Sequence, residues 1–293
     1  MILSNQEKSV FEKGYQIIAG VDEVGRGSLA GPVAAAVVAL KKVCISRTRL
    51  KVHTLKDSKQ LSAKQREEIF EMVKNEPKIG WRISFVWPRV IDRINIWQAT
   101  LLAWRRCLKK LNPRPDFLFL DGQMEMPRLK IAQRAIIKGD QKIFLLSLAS
   151  IIAKVSRDRL MKRLEKKYPE YGFAQHKGYG TKLHFGRLKK FGPCQIHRRS
   201  FGPVFANLPF SEKVCYIVSR IPRGQVMTYQ QVAQKIGQPK AYRAVGNILN
   251  KNTDCQVPCH RVIRSNGRIG GFNRGSQLKE KLLKKEGYEL DKI

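Results

Sequence analysis

Two apolar runs joined by a glycine-rich turn open the chain and restrict its fold more than any other feature. Residues 15–21 (YQIIAGV) and 33–40 (VAAAVVAL) are predicted to form adjacent strands. Further strands are predicted at 81–87, 116–121 and 134–138. Helical spacing of apolar residues is found at 61–73, 94–111 and 144–167. Strands alternating with helices predict an α/β domain built in layers.

The pattern changes near residue 206. The glycine and prolines at 202, 203 and 209 interrupt it, and short helices follow. Residues 228–250 have a helix-turn-helix pattern, and a small hairpin is predicted around 265–267. We therefore predict two domains, residues 1–206 and residues 207–293, with almost no linker between them.

Positive charge narrows the possible partners. The chain has 57 Lys and Arg against 23 Asp and Glu, a net charge of +34. Residues 207–293 hold 16 of the basic and 6 of the acidic residues, so both domains have an excess of positive charge. Such an excess repels itself unless a polyanion shares the surface, which makes nucleic acid the first candidate partner. The alternative is a solvated basic surface without a partner.

Other sequence features point to a cytoplasmic protein without a membrane partner. No apolar run approaches the roughly 18 residues of a membrane span, and the N-terminal residues do not resemble a secretory signal. The six cysteines are scattered and form no Cys-x-x-Cys pair. Neither a disulfide scaffold nor a structural zinc site is therefore expected.

Acidic residues follow the ends of three predicted strands. Asp22 and Glu23 end the first strand, Asp121 ends another, and Asp140 follows the strand at 134–138. Each could be a simple turn former. Together, in a strongly basic chain, they suggest ligands for hard cations such as Mg²⁺ or Mn²⁺. Two such ions can activate a water and stabilise the leaving oxygen when a phosphodiester is cleaved.

The run GVDEVGRGSLAGPVAAAVV, which begins at Gly20, resembles the opening of ribonuclease HII. The resemblance continues in family order through DSKQLS (57–62), LDG (120–122), KGD (138–140), SLASIIAKVSRD (147–158), YGFAQHKGYGT (171–181) and HRRSFGPV (197–204). It implies an RNase H-like mixed sheet flanked by helices. It also implies a metal-dependent endonuclease that cuts 5′ of ribonucleotides, either in RNA–DNA hybrids or embedded in DNA, and leaves 3′-hydroxyl and 5′-phosphate ends.

The same resemblance assigns roles to residues of this chain. The family's metal-binding, catalytic acids fall on Asp22, Glu23, Asp121 and Asp140. The loop whose backbone contacts the ribose 2′-OH and the flanking phosphate falls on Gly25, Arg26 and Gly27, and the tyrosine that packs near that sugar falls on Tyr179. Glycine allows such close approach, and the 2′-OH distinguishes RNA from DNA.

Two further groups of residues are singled out in the first domain. Candidate phosphate contacts are Lys59, Lys154, Lys177, Arg198 and Arg199. Departures from the family pattern are Ser28, Leu148 and Gly180, where the family often has Pro, Ala and Pro. None of the three removes a metal ligand or the Gly-Arg-Gly loop, so we expect activity to be retained.

A cysteine followed by a histidine, Cys259-His260, stands out in the second domain. A thiol beside an imidazole can lose its proton to that base and become a nucleophile. The alternative is a buried cysteine that only packs as a small apolar residue. The pair alone does not decide between them.

The surrounding residues resemble the DNA-binding domain of O6-alkylguanine-DNA alkyltransferase over about 208–290. The motifs are MTYQQVAQKIG, KAYRAVGNILNKN, VPCHRVIRSNGRIGGFN and LKEKLLKKEGYEL. The resemblance implies a small winged helix-turn-helix-like α(+β) domain. It places the alkyl acceptor on Cys259, its base on His260, the acid that orients the base on Glu286, a bracing asparagine on Asn252, the tyrosine that pushes out the damaged nucleotide on Tyr229 and the arginine that fills the vacated stack on Arg243.

The two resemblances together predict a fusion for genome maintenance. The first domain would nick at ribonucleotides, and the second would transfer the O6-alkyl group of guanine in duplex DNA to its own cysteine without a cofactor. The alternative is that the second domain senses alkylated DNA without repairing it and tethers the nuclease. A weaker alternative is an RNA-binding chain with a lapsed nuclease. We expect a monomer.

Overall fold

The computed structural model describes residues 3–44 and 61–288. It divides into two compact units, Met1–Ala206 and Asn207–Ile293. Within the described residues, every helix is too short or too polar to cross a lipid bilayer.

A five-stranded mixed sheet forms the centre of the first unit. Its strands are β1 (Ile17–Val24), β2 (Val33–Lys41), β3 (Ile79–Val86), β4 (Phe117–Asp121) and β5 (Ala132–Ile136). Their order across the sheet is β3-β2-β1-β4-β5. β1 is antiparallel to β2 and parallel to β4, and β4 is parallel to β5. Each of these strands overlaps one of the strands predicted from the sequence.

Helices cover both faces of this sheet. They are α1 (Asn5–Glu12), α2 (Ala63–Lys74), α3 (Pro88–Lys110), α4 (Phe144–Lys167), α5 (Phe173–His176), α6 (Lys182–Phe191) and α7 (Gly202–Ala206). Successive residues of a strand point to opposite faces. Ile18 accordingly packs in the core beneath α2 and α4, and Ala19 packs in the core beneath α3. The prediction of a mixed sheet flanked by helices is confirmed.

Helix α3 begins earlier than predicted and is kinked. Pro88 occupies its first turn, and Asn95 has a φ of 67° within it. The Asn95 side chain accepts a hydrogen bond from the Gln98 backbone N–H at 3.0 Å, so it caps the second part of the helix. The kink divides one apolar pattern into two helical segments.

Helix α4 lies unusually close to β1. A Cβ on Gly20 would overlap the backbone of Leu145. The helix has no side-chain cap of its own at Ile143. Instead, the buried carboxylate of Glu7 accepts hydrogen bonds from the backbone N–H groups of Phe144 and Leu145, at 3.1 and 2.9 Å. Helix α1 therefore fixes the start of α4 against the central strand.

The second unit is mainly helical. Its elements are α8 (Phe210–Ser219), β6 (Met227–Thr228), α9 (Tyr229–Lys235), α10 (Tyr242–Lys251), β7 (Val262–Ile263) and α11 (Ser276–Lys285). Thr228 caps α9 in a capping box with Gln231. Val214, Val232, Val245 and Val262 contribute to its core. This core joins the two helices of the predicted helix-turn-helix to the others.

The predicted hairpin around 265–267 is reduced to a tight turn. The Arg264 backbone N–H donates to the Arg268 carbonyl at 2.9 Å. Strand β7 does not continue through this turn into a partner strand but pairs in parallel with β6. The small sheet thus joins the start of α9 to the segment that follows Cys259.

Candidate functional site

Four carboxylates line one cavity of about 310 Å³ in the first unit. Strands β1 and β4 are parallel, with Val21 opposite Leu120, so Asp22 and Asp121 extend from the same edge of the sheet. Glu23 follows Asp22, and Asp140 lies on a short 3₁₀ turn after β5. The structure therefore brings together the four acids singled out in the sequence.

Burial and mutual repulsion perturb these carboxylates. Burial raises the pKa of Asp22 well above its ordinary value, and the nearby charges of Glu23 and Asp121 raise it further. Burial also raises the pKa of Glu23, against the opposing effect of Arg26. Concentrated negative charge of this kind favours a bound cation.

The donor set fits a hard divalent cation. All four groups are carboxylates, and Glu23 Oε2 is buried without a hydrogen bond of normal geometry. The Trp104 indole N–H lies near Glu23 and lowers its pKa, although it does not complete such a bond. These oxygens are the ligand type that Mg²⁺ and Mn²⁺ prefer.

The four carboxylates line one cavity without converging on a single point. Within residues 3–44 and 61–288, no three acidic, histidine or cysteine side chains converge closely enough to hold a metal ion. Glu23 Oε1 accepts from Arg26 at 3.2 Å, and Asp121 Oδ1 accepts from the Gly139 N–H at 2.7 Å. Two of the four carboxylates therefore already accept hydrogen bonds from neighbouring groups.

Two buried arginines hold the Gly-Arg-Gly loop from behind. Arg198 donates to the Gly25 and Arg26 carbonyls at 2.6 and 2.7 Å. Arg157 donates to the Pro32 carbonyl at 2.9 Å and to Ser28 Oγ at 2.8 Å. Burial and then the charge of Arg157 lower the pKa of Arg198 to about 9. The loop carbonyls are thus directed into the protein, where they offset the buried positive charge.

The Arg26 side chain is on the outer side of this loop. Its side chain is 48% exposed, and its guanidinium lies 5.6 Å from the centre of the Trp97 ring. Arg26 therefore interacts both with the Glu23 carboxylate and with the face of the Trp97 ring. Gly27 is exposed, and a Cβ there would meet nothing within 4 Å.

Tyr179 and Gly25 line the same cavity as the carboxylates. The Arg157 guanidinium lies 5.5 Å from the centre of the Tyr179 ring. The arginine that supports the loop thus also supports the tyrosine. The predicted metal ligands therefore line the same cavity as Gly25 and Tyr179, two of the residues predicted to contact the ribose.

The five candidate phosphate contacts lie in different environments. Lys59 lies outside the described residues. Lys154 lines the cavity and pairs with Asp158 at 3.0 Å, whereas the Lys177 ammonium donates to the Ala174 carbonyl. The prediction that Arg198 contacts phosphate is wrong, because this side chain is fully buried and bound to the loop. Arg199 is only partly buried, and its backbone N–H donates to Asp92 at 3.0 Å.

The three departures from the family pattern are accommodated. Ser28 accepts the hydrogen bond from Arg157. Leu148 is fully buried in the core on α4. Gly180 is exposed next to the Phe185 ring. None of them displaces a carboxylate from the cavity.

Cys259 in the second unit is braced by an amide. The side-chain N–H of Asn252 donates to Cys259 Sγ at 3.3 Å. Burial raises the pKa of the Cys259 thiol, and the hydrogen bond from Asn252 opposes this effect. Cys259 is 6% exposed. It is therefore a sheltered thiol with a donor in place to stabilise its thiolate.

His260 is oriented by an acid that is shared with an arginine. His260 Nε2 lies 3.1 Å from Glu286 Oε1. Arg261 donates to both oxygens of Glu286, at 2.7 and 2.8 Å. Hydrogen bonds from Arg261 and then His260 lower the pKa of Glu286 to about 2. Among the described residues, no direct hydrogen bond joins the His260 ring to the Cys259 thiol.

Tyr229 lies beside this site, whereas Arg243 is exposed on α10. Tyr229 begins α9, packs with the core that contains Cys259 and donates to the Gly271 carbonyl at 3.3 Å. Arg243 is exposed on the first turn of α10, and its guanidinium lies 5.9 Å from the centre of the Tyr242 ring. Of the predicted residues, Asn252 contacts the thiol, His260 follows Cys259 in the chain, and Tyr229 packs against the same core. Arg243 is exposed to solvent on α10.

Comparison with known proteins identifies the first unit. Residues 19–204 match the family model described as Ribonuclease HII. The chain belongs to the ribonuclease HII family. It is 48% identical to ribonuclease HII of Desulfitobacterium hafniense over 69% of this chain and 75% of that protein. It is 47% identical to ribonuclease HII of Caldicellulosiruptor bescii over 67% of this chain and 91% of that protein.

Solved structures agree with the ribonuclease HII assignment. The crystal structure of the ribonuclease H2 from Pyrococcus horikoshii OT3 is similar with a TM-score of 0.53 and 29% identity, over 64% of this chain and 95% of that one.

Residues 209–288 match a second family model, described as the DNA binding domain of 6-O-methylguanine DNA methyltransferase. The chain therefore joins a ribonuclease HII unit to a methyltransferase DNA-binding domain.

Sequence reasoning missed two arginines of these sites. Arg157 lies inside the helical motif of the ribonuclease HII unit, where its charge resembles any solvated helix charge. Its neighbours Ser156, Asp158 and Arg159 are polar or charged, so the local sequence carries no signal that Arg157 is buried. Arg261 directly follows the Cys-His pair. Only the fold shows that it reaches Glu286, 25 residues away.

Proposed function

We propose that the first unit hydrolyses the phosphodiester 5′ of a ribonucleotide, in RNA–DNA hybrids and in DNA with an embedded ribonucleotide. One observation carries this proposal. The four carboxylates share a single cavity with Gly25 and Tyr179, so the reacting phosphate and the sugar that marks it can be bound side by side.

Different residues of the first unit would bind the ribose and the phosphates. Gly25, Arg26 and Gly27 present backbone to the ribose, because Arg198 holds the Gly25 and Arg26 carbonyls inward. Tyr179 packs against the same sugar. Arg26 and Lys154 supply positive charge for the phosphates. These contacts position the ribonucleotide and distinguish its 2′-OH from the hydrogen of DNA.

Asp22, Glu23, Asp121 and Asp140 would hold one or two ions of Mg²⁺ or Mn²⁺. When bound, a divalent cation supplies a Lewis acid for activating water and stabilising the leaving oxygen. Ser150 on α4 donates a hydrogen bond to Asp22 and lowers its pKa, which helps to keep the carboxylate charged.

A duplex with one ribonucleotide in a labelled strand tests this proposal. With Mg²⁺ or Mn²⁺ we expect one cut 5′ of the ribonucleotide, with 3′-hydroxyl and 5′-phosphate ends. The matched all-DNA duplex should stay intact. A cut on the 3′ side, or equal cutting of both duplexes, would contradict the proposal.

We propose that the second unit accepts the O6-alkyl group of alkylated guanine on Cys259. The supporting observation is that Asn252 contacts the thiol while His260 is oriented by Glu286. The base must leave the duplex to reach a sheltered thiol, with Tyr229 and Arg243 assisting. The thiol proton passes to His260 through a water, the thiolate forms a C–S bond as the C–O6 bond breaks, and one proton returns to guanine.

This transfer consumes the protein and needs no cofactor. Mass spectrometry after incubation with duplex DNA containing O6-methylguanine tests it. We expect a gain of one methyl group, mapped to Cys259 and absent in Cys259→Ala. Tight binding to the lesion without any gain would instead indicate a non-catalytic sensor that tethers the nuclease.

A further inference from the structure

Three histidines of the first unit are buried together outside the carboxylate cavity. His176, His184 and His197 are 7%, 0% and 1% exposed. The rings of His176 and His184 stack with centroids 4.3 Å apart. Histidines are common on protein surfaces, and three buried ones require hydrogen-bond partners for their ring nitrogens.

Backbone groups at both ends fix how two of these rings are protonated. His184 Nδ1 lies 2.9 Å from the Tyr179 carbonyl, which can only accept, so Nδ1 carries the hydrogen. At the other end, the Cys194 N–H donates to His197 Nδ1 at 2.9 Å. His197 therefore carries its hydrogen on Nε2.

The two rings then meet in a compatible way. His197 Nε2 and His184 Nε2 are 3.0 Å apart, so His197 donates to His184. The result is one directional chain of hydrogen bonds from the Cys194 N–H through His197 and His184 to the Tyr179 carbonyl. Any other neutral tautomer, or a second proton on His184, sets two donors or two acceptors against each other.

The charge state agrees with this chain. Burial lowers the pKa of His184 to about 4 and that of His197 to about 3. Both rings are consequently neutral at neutral pH, as the chain of hydrogen bonds requires. His176 links two further backbone groups. Its Nε2 lies 2.9 Å from the Tyr171 carbonyl, and its Nδ1 accepts a hydrogen bond from the Gly178 N–H at 3.1 Å.

The residues held by this cluster also touch the loop after Gly27. The Gly178 carbonyl accepts from the Leu29 and Ala30 N–H groups at 2.8 and 3.3 Å. A Cβ on Gly178 would overlap the Ala30 carbonyl. A shift of the backbone at 176–179 would therefore move Tyr179, and it would also strain the loop that follows Gly27.

We propose that His184, locked in one tautomer by His197, is a positioning residue that places Tyr179 and the adjoining loop for recognition of a single ribonucleotide. This inference rests on the proposed nuclease function. His184 is not among the residues that line the carboxylate cavity. It acts through the carbonyl of Tyr179, and its neutral Nδ1–H is the part of the ring that matters.

Nitrogen NMR of the side chains tests the hydrogen-bond chain directly in the full wild-type protein. The sequence has five histidines, and single variants assign their signals. At neutral pH we expect hydrogen on Nδ1 of His184 and on Nε2 of His197. Hydrogen on Nε2 of His184, or on both of its nitrogens, would overturn the proposal. This result does not depend on any nuclease activity.

Two substitutions test the positioning role. The amide of His184→Asn occupies the place of Nδ1 and can still donate to Tyr179, whereas that of His184→Gln occupies the place of Nε2 and cannot. We expect His184→Gln to lower kcat/KM by about tenfold on a duplex with one ribonucleotide. His184→Asn should lose less. A continuous RNA–DNA hybrid, which offers a suitable sugar in every register, should be affected less by either change.

A merely structural role predicts a different pattern. Both variants would then lose activity equally on both substrates, in proportion to their lost thermal stability, and this would overturn the positioning role. If the wild-type chain nicks neither substrate, the nuclease function fails, and the NMR result alone decides whether His184 holds Tyr179.

Discussion

The guanidinium of Arg157 fills the space beside Gly25 that a Cβ would need. Gly25 has a φ of 87°, and a Cβ there would overlap the Arg157 side chain. The glycine is therefore required twice, by its backbone conformation and by the arginine behind it. The loop that is proposed to read the sugar depends on a contact between Gly25, the residue that follows β1, and the middle of α4.

Replacing Gly25 with alanine should displace this loop. We expect Gly25→Ala to destabilise the first unit by about 1–2 kcal/mol or more, since the left-handed conformation alone costs that much for a residue with a Cβ. Denaturant unfolding measures it. Gly27→Ala is the matched control for stability, because nothing lies within 4 Å of a Cβ at Gly27. Equal stability of the two variants would contradict the role given to Arg157.

Removing one carboxylate charge should stop cleavage without unfolding the protein. Asp121 Oδ1 accepts from the Gly139 N–H, and the amide oxygen of Asp121→Asn can accept the same bond. We expect a loss of nicking by roughly a thousandfold or more, with binding to a labelled duplex and thermal stability nearly unchanged. Retained nicking would show that Asp121 is not a metal ligand.

The amide beside the thiol should set the rate of alkyl transfer. Asn252 donates to Cys259 Sγ and so favours the thiolate over the thiol. Asn252→Ala should slow transfer by about tenfold, the effect of losing one hydrogen bond to a charged group. The exposed Asn250, in the last turn of α10 just before Asn252, provides the control variant Asn250→Ala. A rate equal to that of the wild type would indicate that the contact has no chemical role.

Acid should weaken the second unit through Glu286. Its pKa is lowered from 4.5 to about 2, mainly by Arg261. The folded state thus prefers the charged carboxylate, so this contribution to stability is complete above pH 4.5 and is lost as the pH falls from 4.5 to about 2. Glu286→Gln should therefore destabilise the unit at pH 7 and much less at pH 2.5.

Hydrogen exchange of peptides from 207–288 at increasing urea measures this difference in the full chain. The control is Glu280→Gln on α11. Glu280 pairs with Lys284 at 2.9 Å, but both side chains are exposed, and such pairs contribute little. A destabilisation by Glu286→Gln that is the same at both pH values would contradict the assignment to charge.

Much of the fold could be predicted because apolar runs locate buried strands. Residues 33–40 are almost continuously apolar, and β2 is buried on both faces from Val33 to Leu40. The acids of the site could also be predicted, since Asp22 and Asp121 each end such a run. Their meeting depends on β1 and β4 being parallel, which no local pattern shows.

What could not be predicted depends on contacts between distant segments. Arg157 and Arg198 come from α4 and from a loop before α7, and both bind the segment 25–32. In sequence, Arg198 is one of two adjacent basic residues and resembles a phosphate contact. The position of Asp140 depends on Lys138, whose φ of 54° starts the 3₁₀ turn. Left-handed lysine has no sequence signature.

One duplex that contains both a ribonucleotide and an O6-methylguanine tests the central claim that a single chain carries two activities. The wild-type protein, with Mn²⁺, should cut 5′ of the ribonucleotide and gain one methyl group on Cys259. Asp121→Asn should gain the methyl group without cutting, and Cys259→Ala should cut without gaining it. Cutting by the wild-type protein with no methyl on Cys259, or loss of both activities in either variant, would contradict the claim.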